Sequence, residues 1–233
     1  MSGTVRLSAD NVRWLLRGAL AAASKDDVTP VLCAVKWTVA DGRVTVLATD
    51  RYRVHQLFAP AAPNADEGEF LMSRHQAELL LRTKHSSARA NVGEVVDLTW
   101  TDPVGTAPFG ERSTRAVTGS IRFDVLEFDS PEADQITHVS QQVRGNFPPV
   151  ARLFPDSADA SDEGRLSMFA LNPEFLSAMR HLRTHPSQPL RFITPKQQEH
   201  ANKLPVIVEN VDGTARALIQ PNMLFDSWKR YGA

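Results

Sequence analysis

The sequence predicts an α+β fold built from repeated strand-helix-strands units, and three observations predict it. Amphipathic helical stripes occur three times, at Ser8–Lys25, Ser73–His85 and Asn172–His185. Each opens on a residue type that caps helix N-termini. Each is followed by short apolar, β-branched runs bounded by turn residues. With 233 residues and 42% apolar content, the chain can fill one large core or two small ones.

In the first unit, Val12, Leu15, Leu16, Ala19 and Leu20 form an i, i+3, i+4, i+7, i+8 stripe behind Ser8. Pro30 ends helical tendency, and "VLCAVKWTVADGRVTVLATD" follows, with Asp41-Gly42 between two strand-like runs, a hairpin signal. The second unit opens with "EFLM", then Ser73 and Gln76 at capping-box spacing, a leucine-rich helix, and the strands "VVDLTW", "RAVTGSIRFDVLEF" and "ITHVSQQV". A third begins at "LSMFAL", with Asn172 as N-cap and Pro173 in the first turn. Phe175, Ala178, Met179 and Leu182 give its buried stripe, Pro186 stops it, and "LRFIT", "PVIVENV" and "ARALIQ" close the unit. The caps stand 65 and then 99 residues apart, so the middle unit carries extra material. Part is the loop "TDPVGTAPFGERST"; part is "FPDSADASDEGR", whose polar, aperiodic composition suits a linker.

A net charge of -1, from 26 basic and 27 acidic residues, excludes a general polycation. The distribution is uneven. The three helical segments carry eight basic and three acidic side chains, +5, so the remainder carries -6. Cations near helix C-termini answer the helix dipole, which accounts for Lys25, Lys84 and Arg183. Arg13 and Arg17 stand one turn apart, away from the apolar stripe, and fit a shared basic face toward phosphate better. One cysteine, Cys33, within an apolar run, allows no intramolecular disulfide and suits a reducing compartment. The first residues lack the sections of a secretory signal and no run is long enough to span a bilayer, so a soluble, cytoplasmic protein without membrane partners is expected.

Enzymatic and metal chemistry find little support. His181 and His185 are spaced i, i+4, but two ligands make no structural metal site. Cys33 reads as a packing residue. Asp50, Arg53 and His55 crowd one strand end, yet no nucleophile elbow, zinc-protease helix or phosphate-cradling glycine loop accompanies them. The four tryptophans are scattered rather than arrayed in a basic stripe, which argues against a base-stacking single-strand binder. No cofactor is expected.

Three separated motifs resemble the bacterial DNA polymerase III β sliding clamp family. "TPVLCAVKWTVADGRVTVLATDRYRVH" is similar to that family's second domain, with its leading apolar strand, "DG" hairpin and "ATD-x-[YFH]-R" strand end. "GNFPPVARLFPD" looks like the link into the last domain, and "LIQPNML" resembles the C-terminal "MP-x-[RK]-L" strand. The resemblance implies a DNA-clamp fold, antiparallel sheets outside and helices inside. Residues 1–156 would form one clamp-like domain of two units, and 157–233 a partial second domain of one. A ring of twelve units would take four such chains, or three if a fourth unit lies hidden in the chain.

Carried over by motif, the resemblance implies a non-enzymatic processivity factor that encircles double-stranded DNA as a homo-oligomer and binds DNA polymerase and clamp-loader peptides. The DNA-facing cations would be Arg13, Arg17, Lys25, Arg74, Arg82, Lys84, Arg180 and Arg183. The peptide pocket would comprise Leu32, Thr49, Tyr52, Arg53 and Val54, with Pro148, Arg152 and Leu153 from the link and Leu218, Gln220, Pro221 and Asn222 from the final strand. Gln220 and Asn222 stand where the family has methionines, so one flexible apolar wall is more polar here. The alternative is a clamp-fold interaction protein that does not encircle DNA and regulates replication by binding clamp-interacting peptides or another clamp. An enzyme using Asp50, Arg53 and His55 ranks third.

Overall fold

The computed structural model describes residues 2–82, 95–101, 119–126, 136–143, 145–154, 170–193 and 205–222. The loop 102–118, most of the linker candidate and Lys84 lie outside them.

Strand β1 (Gly3–Ser8), which no motif in the sequence marks, leads into helix α1 (Ala9–Leu20), capped by the Ser8 hydroxyl accepting from Asn11 N. A 3-10 turn, Pro30–Cys33, precedes β2 (Ala34–Ala40), β3 (Arg43–Thr49) and β4 (Arg53–Pro60). Asp41 and Gly42 adopt φ of 52° and 67°, the paired positive angles of the hairpin turn that this dipeptide predicts. In the second unit β5 (Gly68–Ser73) enters α2 (Arg74–Arg82) through a full capping box: Ser73 N donates to Gln76 Oε1, and Gln76 N to Ser73 Oγ. Strands β6 (Val95–Trp100), β7 (Ser120–Leu126) and β8 (Ile136–Gln141) follow. The third unit holds α3 (Pro173–Ala178), capped by Asn172, its continuation as a 3-10 turn over Met179–Leu182, and β9 (Leu190–Ile193), β10 (Val206–Asn210) and β11 (Ala215–Ile219).

These strands make two antiparallel sheets, β1-β6-β7-β8 and β5-β2-β3-β4-β11-β10-β9. The first two units exchange their leading strands. β1 pairs with β6 of the second unit, and β5 pairs with β2 of the first, so neither sheet of this pair is made by one unit alone. The third unit joins through β4 and β11, in register from Arg53 opposite Ile219 to Leu57 opposite Ala215.

Alternation along these strands divides the core. Leu57, Ala215, Ala217 and Ile219 belong to the large cluster with the α1 stripe, Met179 and Leu182; Trp37, Phe70 and Trp100 stack within it at centroid separations of 5.7 and 5.2 Å. Val54 and Leu218, one residue out of phase, join Leu47, Ile207 and Phe154 in a second cluster, with Phe147 and Val150 of the link packed against it. All three helices therefore lie on one face of the long sheet, and the link covers the other.

Gly18 sets the distance between α1 and that sheet. A Cβ there would come within 2.3 Å of Leu57 Cδ2. The Gly18 carbonyl, in the last turn where helical donors run out, accepts from His55 Nδ1 at 2.7 Å. His55 is fully buried, and its Nε2 has no partner among the described residues. Burial pushes the imidazole down to about 4, with the neighbouring Arg53 and His181 adding to the effect and the Gly18 bond opposing it. Below about pH 6.5 the unfolded chain's imidazole gains a proton that the folded one refuses until about 4, so the folded state loses stability across that window, by about 3 kcal/mol. Denaturant midpoints measured from pH 7 to 4 will fall in the wild type and fall less steeply in His55→Gln; equal slopes would remove this assignment.

Candidate partner groove and nucleic-acid face

The turn between β3 and β4 is built by the "ATDRYR" stretch. Asp50 Oδ1 accepts from Tyr52 N and Arg53 N at 3.1 and 3.0 Å, and Asp50 Oδ2 accepts from Arg53 Nε at 2.9 Å. Thr49, buried, donates its hydroxyl to Arg53 O and accepts from Arg51 N, which holds Arg51 at φ 80°. The cluster of charge at this strand end is thus a self-satisfied turn. Arg53 then lies over the ring of Phe175 in α3, its guanidinium carbon 4.5 Å from the centroid.

That stacking forms one wall of a groove of about 710 Å³ between the C-terminal end of α1, the β3–β4 turn and α3. Its size falls in the range of ligand sites. Leu32, Tyr52 and Arg53 of the expected pocket line it, and Tyr52 is 63% exposed. Glu174, Phe175, Arg180 and His181 line it as well, none of them expected there. Phe175 had only the signature of a core residue, and its place beside Arg53 depends on a strand pairing that no local pattern announces.

The rest of the expected pocket lies elsewhere. Val54 and Leu218 pack under Phe154 on the opposite sheet face. Pro148, Arg152 and Leu153 belong to the link, where Leu153 is 57% exposed; none of the three lines the groove. Gln220 N donates to Tyr52 O at 2.8 Å, Pro221 is buried, and Asn222 N donates to Ala170 O. The Tyr52–Gln220 bond is where the two sets meet, at the shared end of β4 and β11.

The expected cationic face divides too. Arg13, Arg17, Arg180 and Arg183 line one cleft of about 280 Å³ between α1 and the 3-10 turn after α3, together with His181 and His185. Trp14 Nε1 donates to Arg183 O at 3.1 Å and ties the two sides together. Asp10 lies in the cleft and pairs with Arg13 at 3.0 Å. Lys25 and Arg74 line the groove instead. Arg74 bonds Glu78 through Nε and the Ala23 and Ser24 carbonyls through Nη1, so it serves the end of α1. Arg82, exposed at the end of α2, stands 3.6 Å from Glu78.

His181 is half-buried, and its pKa is lowered by burial first and by Arg180, Arg17 and Arg183 next. Arg180 Nε donates to its Nε2 at 3.2 Å. Asp50, Arg53 and His55 do not converge on a common point: the first two pair with each other at the turn while His55 is sealed beneath Gly18. Among the described residues there is no group of three or more candidate metal ligands and no helix long and apolar enough to cross a membrane.

No protein-family model matches the chain. In sequence it is 29% identical to the β sliding clamp of Micrococcus luteus over 142 residues, 59% of this chain and 36% of that protein. In structure it resembles the DNA polymerase III β subunit of Thermotoga maritima with a TM-score of 0.64 at 13% identity, over 96% of this chain and 66% of that one. It resembles the DNA polymerase sliding clamp of Bacillus subtilis at 0.65 and 15%, over 95% and 64%, and the Pseudomonas aeruginosa β subunit at 0.64 and 17%, over 95% and 66%. The chain therefore spans just under two thirds of these solved clamps. At such identities the structural likeness speaks for fold, and its topology of exchanged leading strands with helices on one face is the DNA-clamp fold predicted from the motifs. The chain thus resembles a bacterial β sliding clamp in sequence over part of its length and shares the fold of the DNA polymerase III β subunits.

Proposed function

We propose that the protein is a non-enzymatic, sliding-clamp-like replication processivity factor, cytoplasmic, that encircles duplex DNA as a homo-oligomer and tethers polymerase or clamp-loader peptides. One observation carries the reading: Arg13 and Arg17 from α1, and Arg180 and Arg183 from the 3-10 turn after α3 and its cap, far along the chain, converge on one cleft on the helical face. Phosphate contacts of this kind carry no sequence information, as a sliding surface requires. Residues 1–156 act as one complete domain whose units are interlocked by exchanged strands, and 157–233 supply half of a second. Strand β9 ends the long sheet with one described neighbour, which leaves an edge for a further copy.

The partner peptide enters the groove beside Tyr52, Arg53 and Phe175, where aromatic anchors give most of the affinity. The exposed Leu153 and the Gln220 and Asn222 strand extend its path around the sheet end. A second reading, a clamp-fold interaction protein that does not encircle DNA, draws on the internal pairing of Arg13, Arg74 and Arg82 with acids, which lowers the field toward phosphate.

Mass measurement in solution separates the two readings: a discrete closed oligomer is expected, and a monomer persisting at replication-relevant concentrations would defeat encirclement. Replacing Arg17 and Arg183 by Glu should reduce the slope of log affinity for duplex DNA against log salt by about 2, with an unchanged slope removing these residues from the DNA face. Tyr52→Ala should weaken binding of polymerase-derived peptides by roughly tenfold or more at unchanged melting temperature, and Phe175→Ala should weaken it as much while also lowering the melting temperature, since Phe175 packs against the core. Wild-type affinity in both variants would leave the groove without a role.

A further inference from the structure

The groove and the cleft share a wall. Arg180 and His181 line both. Arg180 Nε donates to His181 Nε2, so the ring proton sits on Nδ1 and the imidazole is neutral. The groups facing His181 are mostly cationic. Arg17 comes from α1, with Arg13 and its partner Asp10 further along the cleft; Arg183 and His185 follow on its own segment. Arg53 and the buried His55 come from β4, and Glu174, Asp50 and Asp26 are the acids on the groove side. The strands under the 3-10 turn, β10 and β11, turn only uncharged side chains to it: Val206, Val208, Asn210, Ala215, Ala217 and Ile219.

We infer that the cleft is a proton-linked phosphate site, in which a phosphate held by Arg17 and Arg183 draws a proton from solvent onto His181 and releases Arg180, loosening the wall shared with the groove. The inference rests on reading the cleft as a phosphate-facing surface. The physical steps are short. In the unliganded protein three guanidinium groups disfavour a further positive charge on the half-buried ring. A phosphate between them reverses the local potential, and the imidazole then binds a proton on Nε2. A protonated Nε2 cannot accept from Arg180, so that bond is lost and two adjacent cations repel. Arg180 turns to the phosphate, where a charge-assisted bond is stronger than the neutral one it leaves. By linkage, phosphate binding tightens as pH falls toward the range where free His181 titrates.

The test is an NMR titration of His181, assigned by comparison with His181→Gln, alone and with either inorganic tripolyphosphate or a short duplex at low salt. With either probe the proton affinity of His181 should rise about tenfold, the Arg180 Nε resonance should move at the same probe concentration, and Arg17→Gln with Arg183→Gln should abolish both changes. Saturable binding of both probes without movement of the His181 titration would overturn the inference while leaving a DNA-facing surface intact. If tripolyphosphate moves His181 but the duplex does not bind, the phosphate site stands and encirclement falls. If neither probe binds, both fall.

Discussion

The ladder between β4 and β11 is the constraint on which the rest of the molecule depends. It joins residues separated by more than half the chain and lays the third unit against the first. Because side chains alternate, this one register sends Arg53, His55 and Leu57 to the helical face with Ala215, Ala217 and Ile219, and sends Val54, Gln56, Arg216 and Leu218 to the face under the link. A slip of one residue would turn one strand over relative to the other, either burying Arg216 against α1 beside His55 or stranding His55 under the link beside Arg216. The surrounding bonds all reinforce the observed register: Phe58 N to Thr214 O and Gln220 N to Tyr52 O continue it at both ends, and Arg216 lies over Phe154 while its Nε reaches Gln56.

Close approach of α1 to this ladder follows from one residue without a side chain. Gly18 lets Leu57 pack against helix backbone, and the carbonyl freed at the helix end meets His55 at hydrogen-bond distance. The same contact that fills the core therefore satisfies a helix terminus, at the cost of a buried imidazole kept neutral. Arg74 does the corresponding work one turn later, on the Ala23 and Ser24 carbonyls. With α1 fixed in this way, its outer side faces α3, and the groove and the cleft are the two openings left between them.

What was legible in the sequence is what short-range physics writes there. Ser8, Ser73 with Gln76, and Asn172 with Pro173 cap the helices that follow them, and Asp41-Gly42 turns the hairpin it signals. Motif resemblance carried the fold, since the strand exchange between the first two units leaves no local trace: β1 is six residues of ordinary alternation whose partner lies about ninety residues away. Helix α1 is shorter than the Ser8–Lys25 segment: its last helical hydrogen bonds run from Ala21 N to Arg17 O and from Ala23 N to Ala19 O, and Lys25 lies past them. The groove gathers only Leu32, Tyr52 and Arg53 of the residues that the motifs suggest for a pocket, and a strand end has two faces: Arg53 and Val54 are neighbours in sequence and on opposite sides of the sheet.

A count of cations on the helices does not by itself give the field they present. Of the arginines on the helical face, Arg13 and Arg74 are held by acids of their own helix, and Arg53 is held at the turn. Those pairs fix local geometry and contribute little long-range field. Arg17, Arg180 and Arg183, none of them held by an acid among the described residues, gather at a single seam between α1 and the third unit, where Arg183 also donates to the Arg180 and Pro186 carbonyls. A ring that encloses its duplex needs no tight hold, since each additional phosphate contact would steepen the salt dependence and slow translation. On the proposed reading, a few cations concentrated at the junction of two units, with the rest spent on holding the helices in place, is the distribution that permits both a rigid frame and a loose grip.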